Sequence, residues 1–236
     1  MSSARPAPRV TRFADAQALA RAVAAAVEAA VRPGIAARGN ASLVLPGGST
    51  PEAFLPTVAA LPLAWEKLAI FLADERWVDE PSPDSNAAML RRCLLAAPGP
   101  ARARFVPLKN AAATATLGAD AARAALPSPD EPYDLVLLGM GNDGHFASIF
   151  PGSPRLAALL DPGNRERVAA VPAPDRATPA VERLTLTLAE LRRARRLILV
   201  LQSPPKLEAL LAAHAAGDAL ATPVVALGDV EVFWSP

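Results

Sequence analysis

The amino-acid sequence predicts an α/β protein built on an open, mainly parallel β-sheet with helices on both faces. Short apolar runs without polar alternation indicate strands that are buried on both sides, as in a parallel sheet. Helical patterns separate these runs, so strands and helices alternate along the chain. The predicted buried strands are residues 42–45, 68–73, 134–138 and 197–201.

The first predicted helix follows Asp15, a suitable capping residue, and places Leu19, Val23 and Val27 on one face at intervals of four residues. Four further helices are predicted between the strands. They cover residues 51–60, 86–95, 111–125 and 205–216.

A different strand is predicted at residues 181–188, where apolar and polar residues alternate with a period of two, so that one face is polar. Proline-rich stretches at 98–107, 127–132 and 172–179 are predicted as loops. No internal repeat or long linker divides the sequence. We therefore expect a single domain over residues 1–236.

Charge and cysteine content exclude several classes of function. The 24 Lys and Arg residues balance 23 Asp and Glu residues, so no broad field attracts nucleic acid or a membrane surface. Cys93 is the one cysteine and there are two histidines, too few for a zinc-type ligand set. The first residues lack the apolar core of a signal peptide. We expect a metal-free cytoplasmic protein.

Polar residues follow each predicted strand, at the edge where parallel sheets bind ligands. After the first strand come Gly47, Gly48, Ser49 and Thr50, which predict a phosphate cradle at a helix N-terminus; a plain strand-to-helix turn is the alternative. Ser49 and Glu52 also have the spacing of a capping box. The Gly-Lys-Ser/Thr ending of a Walker motif is missing.

The second and fourth strands are followed by cations. Asp74, Glu75 and Arg76 follow the second strand, where Arg76 is suited to bind a phosphate or carboxylate with two hydrogen bonds; a solvated charged loop is the alternative. Lys206 falls in the first turn of a predicted helix. A cation is disfavoured there by about 0.3–1 kcal/mol unless it meets an anion.

The third strand is followed by the most informative segment, in which three glycines at 139, 141 and 144 precede His145. Asp143 lies two residues before the histidine, so the loop can present an imidazole to a ligand with a carboxylate nearby. The glycine spacing does not fit a dinucleotide fingerprint, which needs a helix directly afterwards. A structural role for His145 is the alternative, and His214 is expected to be a bystander.

Together these stretches resemble the 6-phosphogluconolactonases and the wider superfamily that also holds glucosamine-6-phosphate deaminase. The likeness runs in order along nearly the whole chain. Its motifs are Leu-Pro-Gly-Gly-Ser-Thr-Pro at 45–51, Asp-Glu-Arg-Trp-Val at 74–78, Ser-Asn at 85–86, Tyr-Asp-Leu-Val-Leu-Leu-Gly-Met-Gly-Asn-Asp-Gly-His at 133–145, Ala-Ser-Ile-Phe-Pro-Gly at 147–152 and Arg-Leu-Thr at 183–185.

The resemblance implies a Rossmann-like sheet and the hydrolysis of 6-phospho-D-glucono-1,5-lactone to 6-phosphogluconate in the oxidative pentose phosphate pathway, without a cofactor. It makes His145 the general base that activates water, and Arg76 an active-site cation. Asp143 either orients the imidazole or holds a sugar hydroxyl. The other implied substrate and phosphate contacts are Gly47, Gly48, Ser49, Thr50, Asp74, Arg183 and Lys206.

Two departures from the family pattern stand out. Phe146 occupies a position where the family usually has a small polar residue, and Ser203-Pro204-Pro205 precedes Lys206 where the family usually has a glycine.

We expect a small-molecule substrate, no nucleic-acid or membrane partner, and a monomer or small homo-oligomer.

Two other functions compete with the lactonase hypothesis. The deaminase reading needs an acidic residue shortly after the histidine, in an Asn-Glu-Pro sequence, but this chain has Ile149-Phe150-Pro151 there. A non-catalytic sugar-phosphate sensor would keep the pocket and lose turnover, which the presence of both His145 and Asp143 argues against.

Overall fold

The structure of the protein, a computed structural model, describes residues 8–173 and 179–236. Its strands within these residues are β1 (Arg9–Arg12), β2 (Ala41–Leu45), β3 (Leu68–Leu72), β4 (Asp74–Arg76), β5 (Arg104–Val106), β6 (Leu135–Leu138), β7 (Val168–Val171), β8 (Arg183–Leu186), β9 (Leu197–Gln202) and β10 (Glu231–Ser235).

The α-helices in the same ranges are α1 (Ala16–Arg38), α2 (Ser49–Ala59), α3 (Asn86–Leu90), α4 (Ala115–Ala124), α5 (Leu156–Leu160), α6 (Leu188–Leu191) and α7 (Pro204–Ala216). A π-helical turn, Arg91–Leu95, continues α3. In the described parts of the chain, no helix is both long and apolar enough to cross a membrane.

A seven-stranded sheet in the order β1-β10-β9-β6-β2-β3-β5 forms the centre of the fold, and all its neighbouring strands are parallel. A smaller antiparallel sheet has the order β4-β8-β7. The predicted α/β class with a mainly parallel sheet is confirmed. The chain leaves β2 towards β3 on one side while β6 lies on the other, so a crevice opens between the carboxyl ends of β2 and β6.

Helix α1 forms as its sequence predicts. The Asp15 side chain accepts a hydrogen bond from the Ala18 amide at 2.7 Å, and Gly39 ends the helix in a left-handed conformation with φ of 79°. Leu19, Val23 and Val27 are buried against the sheet side of the fold. The periodic apolar face is thus what attaches this helix to the core.

Two short strands lie outside the predicted strands, one directly after residues 68–73 and one within the predicted loop at 98–107. Residues 74–76 form β4, which pairs with β8, and their carboxylates are buried rather than solvated. Residues 104–106 form β5, the edge strand beside β3. Three-residue strands are too short to show a period of two, and pairing with a neighbour decides their conformation. The predicted loop at 172–179 lies mostly outside the described residues.

The predicted strand at residues 181–188 is shorter than expected and its polar face is buried. It is limited to β8 because Thr187 caps α6 by accepting the Glu190 amide at 3.3 Å. Arg183 is 3% exposed and Thr185 is fully buried. A polar strand face that lacks solvent contact must meet polar partners, and in this fold it faces the candidate site.

A buried ion cluster around Glu190 holds α6 at the end of β8. The Glu190 carboxylate accepts hydrogen bonds from Tyr133 at 2.7 Å, from Arg167 at 2.8 Å and from Arg193 at 3.0 Å. Burial raises the pKa of Glu190, but the hydrogen bonds and charges of its partners lower it by more, so the net pKa is below the ordinary value.

We predict that Glu190→Gln lowers the free energy of unfolding by about 3–5 kcal/mol at neutral pH, because it removes a buried anion and leaves two partly buried guanidinium groups without it. Since the folded-state pKa of Glu190 is lowered, its stabilisation is complete above the unfolded value of about 4.3 and is lost as the pH falls below it. Denaturant titrations of both proteins across that range should therefore converge in acid.

The matched control for this prediction is Glu28→Gln, which breaks the exposed ion pair with Arg32. An exposed pair of this kind contributes about 0.3–0.5 kcal/mol. Equal losses in Glu190→Gln and Glu28→Gln would contradict the importance of the cluster.

Candidate active site

A pocket of about 180 Å³ lies at the carboxyl ends of β2, β3, β6 and β9, at the crevice of the main sheet. Nine of the ten site residues predicted from the sequence line it, and Asp143 reaches it through His145. The nine are Gly47, Gly48, Ser49, Thr50, Asp74, Arg76, His145, Arg183 and Lys206.

The turn between β2 and α2 presents backbone amides to this pocket. Gly48 has φ of 101°, a conformation that favours glycine, and a Cβ on Gly47 would lie 1.8 Å from Oδ1 of Asn86. The amides of Ser49 and Thr50 open α2, where the first N–H groups have no acceptor within the helix. This end of the pocket is therefore suited to an anion.

The predicted capping box at this turn is wrong. Helix α2 starts at Ser49 with Gly48 as its N-cap, and no side chain caps it. A serine cap would have non-helical backbone angles and would precede the first helical residue. Here Gly48 takes the cap position, so Ser49 is already the first residue of the helix. Glu52 instead forms an ion pair with Arg92 at 2.5 Å.

The loop after β6 folds tightly around its glycines. The Gly141 amide donates to the His145 carbonyl at 2.9 Å, and the Gly144 amide donates to the Gly141 carbonyl at 3.0 Å. Gly144 has φ of 77°, and a Cβ on Gly141 would lie 2.1 Å from the imidazole Cε1 of His145. The glycines thus allow the backbone to turn and the imidazole to lie close against it.

His145 is paired with Asp143 inside this loop. Its Nδ1 lies 2.5 Å from Oδ1 of Asp143, which also accepts the His145 backbone amide at 3.2 Å. Burial raises the pKa of Asp143, but the hydrogen bond and charge of His145 lower it by more, so the net pKa is decreased. An ionised carboxylate only accepts, so the proton of a neutral imidazole sits on Nδ1 and Nε2 is the free acceptor.

A buried network around Asp74 joins three parts of the site. Its carboxylate accepts the Ser148 hydroxyl at 2.5 Å, and the Asn86 side-chain amide donates to the Asp74 carbonyl at 2.8 Å. The Ser148 amide donates to the Thr185 hydroxyl at 3.2 Å. The segment after His145 is thereby fixed against β4 and β8.

Two guanidinium groups lie directly opposite each other across the small sheet, since Arg76 and Arg183 are register partners. Arg76 donates to Oδ1 of Asn86 at 2.6 Å, and Arg183 donates to the Pro179 carbonyl at 3.1 Å. The Nε atoms of both are buried without a protein acceptor within the described residues. Like charges in opposed positions repel each other, so this pair favours an anion in the pocket.

Burial also lowers the pKa of two cations at this site. For Arg183, burial lowers the pKa most, the negative charge of Asp74 raises it, and the positive charge of Arg76 lowers it. The net pKa is below the ordinary value. The pKa of Lys206 is lowered by burial, and no anion among the described residues counters this effect. An anionic ligand would supply the missing compensation.

Several residues that build the site were not predicted from the sequence. Ser85 caps α3 by accepting the Ala88 amide at 3.1 Å, and the side chain of the next residue, Asn86, lines the pocket. Ser148 donates to the Asp74 carboxylate, and Thr185 accepts the Ser148 amide. No local sequence pattern predicts these contacts. Phe146, a departure from the family pattern, is fully buried and does not line the pocket.

Comparison with known proteins identifies the family. The family model described as glucosamine-6-phosphate isomerases/6-phosphogluconolactonase matches residues 14–234. The chain belongs to this family. The 6-phosphogluconolactonase of Pseudomonas putida is 42% identical over 235 residues, covering 98% of this chain and 94% of that protein.

Solved structures agree with the family and separate fold from function. The 6-phosphogluconolactonase structure from Shewanella baltica is 33% identical with a TM-score of 0.91, covering 99% of this chain and 100% of that one. A monomeric glucosamine-6-phosphate deaminase has a TM-score of 0.78 at 18% identity, with coverages of 96% and 97%. The second likeness shows the fold alone, so the choice of reaction must come from side chains.

Among the described residues, no group of three or more His, Cys, Asp or Glu is placed to hold a metal ion.

We predict that Gly141→Ala displaces the imidazole of His145 without unfolding the chain, because the new Cβ would overlap the ring. The chain has two histidines, so nitrogen-correlated NMR gives two sets of imidazole signals. The set from His145 should shift and that from His214 should not. The control is Gly139→Ala in the same loop, where a Cβ meets nothing within 4 Å. Unchanged signals in Gly141→Ala would contradict the close contact.

Proposed function

We propose that this protein hydrolyses 6-phospho-D-glucono-1,5-lactone to 6-phosphogluconate, with His145 as the general base. The observation that carries the proposal is the Asp143–His145 pair, whose Nε2 makes no hydrogen bond to the described residues and belongs to a pocket lined by three cations. Membership of the family and the high similarity to 6-phosphogluconolactonases support the same reaction.

The proposed reaction begins when Nε2 of His145 takes a proton from a water molecule, whose oxygen attacks the lactone carbonyl carbon. Asp143 holds Nδ1, so that the imidazole keeps its orientation and its positive charge is stabilised. The tetrahedral intermediate expels the ring oxygen, which receives the proton from the imidazolium. The products are a free hydroxyl group and a carboxylic acid, which releases its remaining proton to the solvent and becomes the carboxylate, and no other reactant is needed.

The negative charge that develops on the carbonyl oxygen needs a donor that is already in place. We assign this role to Arg76, whose guanidinium is fixed by Asn86 and by the Asp84 carbonyl at 2.9 Å. Since these contacts hold the group before substrate arrives, little reorganisation is needed during the reaction. The carboxylate of Asp74 is placed to accept a sugar hydroxyl at the same wall of the pocket.

The phosphate group of the substrate is assigned to the other polar contacts of the pocket. The amides at Gly47–Thr50 and the side chains of Ser49 and Thr50 offer hydrogen bonds, and Arg183 and Lys206 offer charge. These contacts exist in the ground state as much as in the transition state. They should therefore control affinity and the preference for a phosphorylated substrate.

The deaminase reaction is the second candidate, and one contact argues against it. The ring of Phe150 lies 4.3 Å from the imidazole ring of His145, at the position where the deaminase motif has an acid. A phenyl ring transfers no proton, so an acid needed for amine chemistry is missing there. A sensor without turnover is disfavoured because the proposed base and its carboxylate partner are both present.

We further propose that the reaction serves the oxidative pentose phosphate pathway in the cytoplasm. This setting is implied by the resemblance to 6-phosphogluconolactonases, and the single cysteine suits a reducing compartment.

We predict that purified protein hydrolyses 6-phosphogluconolactone above the spontaneous rate and keeps its rate in a metal chelator, because its two histidines and one cysteine offer few metal ligands. The same preparation should release no ammonia from glucosamine 6-phosphate. Loss of hydrolysis in chelator with recovery on adding a divalent ion would contradict the metal-free reaction. Ammonia release above a heat-treated control would favour the deaminase.

We predict that His145→Ala lowers kcat by about 10²–10⁴-fold with little change in KM, since a general base acts only as the barrier is crossed. Binding of 6-phosphogluconate, measured by calorimetry, should be nearly intact. The control is His214→Ala, which alters the other histidine, outside the pocket lining. A near-normal kcat in His145→Ala would move water activation to another residue.

We predict the opposite kinetic pattern for Lys206→Ala and Arg183→Ala. Each removes a charge-assisted hydrogen bond of roughly 1.5–3 kcal/mol that ground and transition states share, so KM should rise and kcat should change little. Both variants should also lose most of the preference for 6-phosphogluconolactone over unphosphorylated gluconolactone. A fall in kcat alone would contradict the assignment of these cations to the phosphate.

A further inference from the structure

Lys206 reaches the pocket from a helix that begins in an unusual way. Ser203, the N-cap of α7, has φ of 84° and ψ of 142°, in a region that residues with a Cβ seldom occupy. Its hydroxyl makes no capping hydrogen bond. Within the described residues, Ala147 is the other non-glycine residue with positive φ, and it lines the same pocket.

The first turn of α7 is also poor in backbone donors. Pro204 and Pro205 occupy its first two positions and have no N–H groups. The N-terminus of α7 therefore has fewer free backbone N–H groups for an anion than the N-terminus of α2 has. The ammonium group of Lys206 is the main donor on this side of the pocket. The position of this one side chain depends on how the helix is attached to β9.

The last strand holds Ser203 in its strained conformation. The Ser203 amide donates to the Ser235 carbonyl at 3.1 Å, and the Ser203 carbonyl accepts the indole Nε1–H of Trp234 at 2.9 Å. Both backbone groups of the residue are thus bound by β10. Strained backbone persists only where its surroundings fix it, and these two hydrogen bonds are the contacts that do so.

We infer that Ser203, clamped by Trp234 and Ser235, is a positioning residue that fixes Lys206 at the phosphate end of the pocket. Without the clamp, the serine would relax to negative φ and redirect the first turn of α7. Lys206 would then leave its half-buried position in the lining of the pocket. This inference rests on the proposed binding of a sugar phosphate, though not on turnover.

The test removes the indole donor and measures affinity directly. Trp234→Phe should raise the calorimetric Kd for 6-phosphogluconate roughly three- to tenfold, the value of one net hydrogen bond, and raise KM in parallel with kcat unchanged. The control is Trp65→Phe, which loses the same kind of bond, from the indole to the Leu61 carbonyl at 3.1 Å, away from the pocket lining. It should lower thermal stability and leave Kd unaltered.

A second pair of variants tests the role of strain. In a Ser203→Gly background the same Trp234→Phe change should lose most of its effect on Kd, because glycine adopts positive φ without strain. Equal losses in both backgrounds, an unchanged Kd in Trp234→Phe, or a comparable loss in Trp65→Phe would each overturn the inference. If Trp234→Phe does not fold, Trp234→Leu removes the same donor and introduces no other.

The affinity measurement separates this inference from the proposed reaction. If the wild-type protein binds 6-phosphogluconate but does not hydrolyse the lactone, the proposed reaction is wrong. The effect of Trp234→Phe on Kd would still show whether Trp234 and Ser235 position Lys206 through Ser203. A wild-type protein that does not bind 6-phosphogluconate would overturn both.

Discussion

The site depends on one buried carboxylate, that of Asp74, which connects elements far apart in the sequence. It accepts the Ser148 hydroxyl beyond the histidine loop, while Asn86 at the start of α3 is bound to the same residue. Its strand also pairs with β8 and so places Arg183 opposite Arg76. Because the histidine loop, α3 and the small sheet all meet at this residue, their relative positions are set together. A buried carboxylate that accepts hydrogen bonds from two side chains is well suited to this role.

The distribution of charge suits a small anionic substrate. The whole chain carries a net charge of only +1, yet Arg76, Arg183 and Lys206 all line one pocket. Attraction of an anion is therefore local rather than spread over the surface. The proposed base is a separate group, and Asp143 holds its imidazole at Nδ1. Binding and proton transfer are thus assigned to different groups, which allows their effects on kinetics to be separated.

Much of the site could be predicted because its residues follow buried strands directly, where the chain itself places them at one edge. Gly141 and His145 illustrate this, since both the glycine spacing and the histidine are local features of one loop. Asn86 could not be found in this way, because the Ser85 cap explains its segment and its contact with Asp74 is visible only in three dimensions. Likewise the short strands at 74–76 and 104–106 are formed by pairing rather than by propensity.

The most direct test of the account is the solvent isotope effect on a single turnover of 6-phosphogluconolactone. If a free Nε2 of His145 removes a proton from water as the lactone is attacked, hydrolysis should be slower in D₂O. The rate should also fall linearly with the deuterium fraction, as expected for one proton in flight. Equal rates in H₂O and D₂O, with all the substrate bound by excess enzyme, would contradict general-base catalysis at this site.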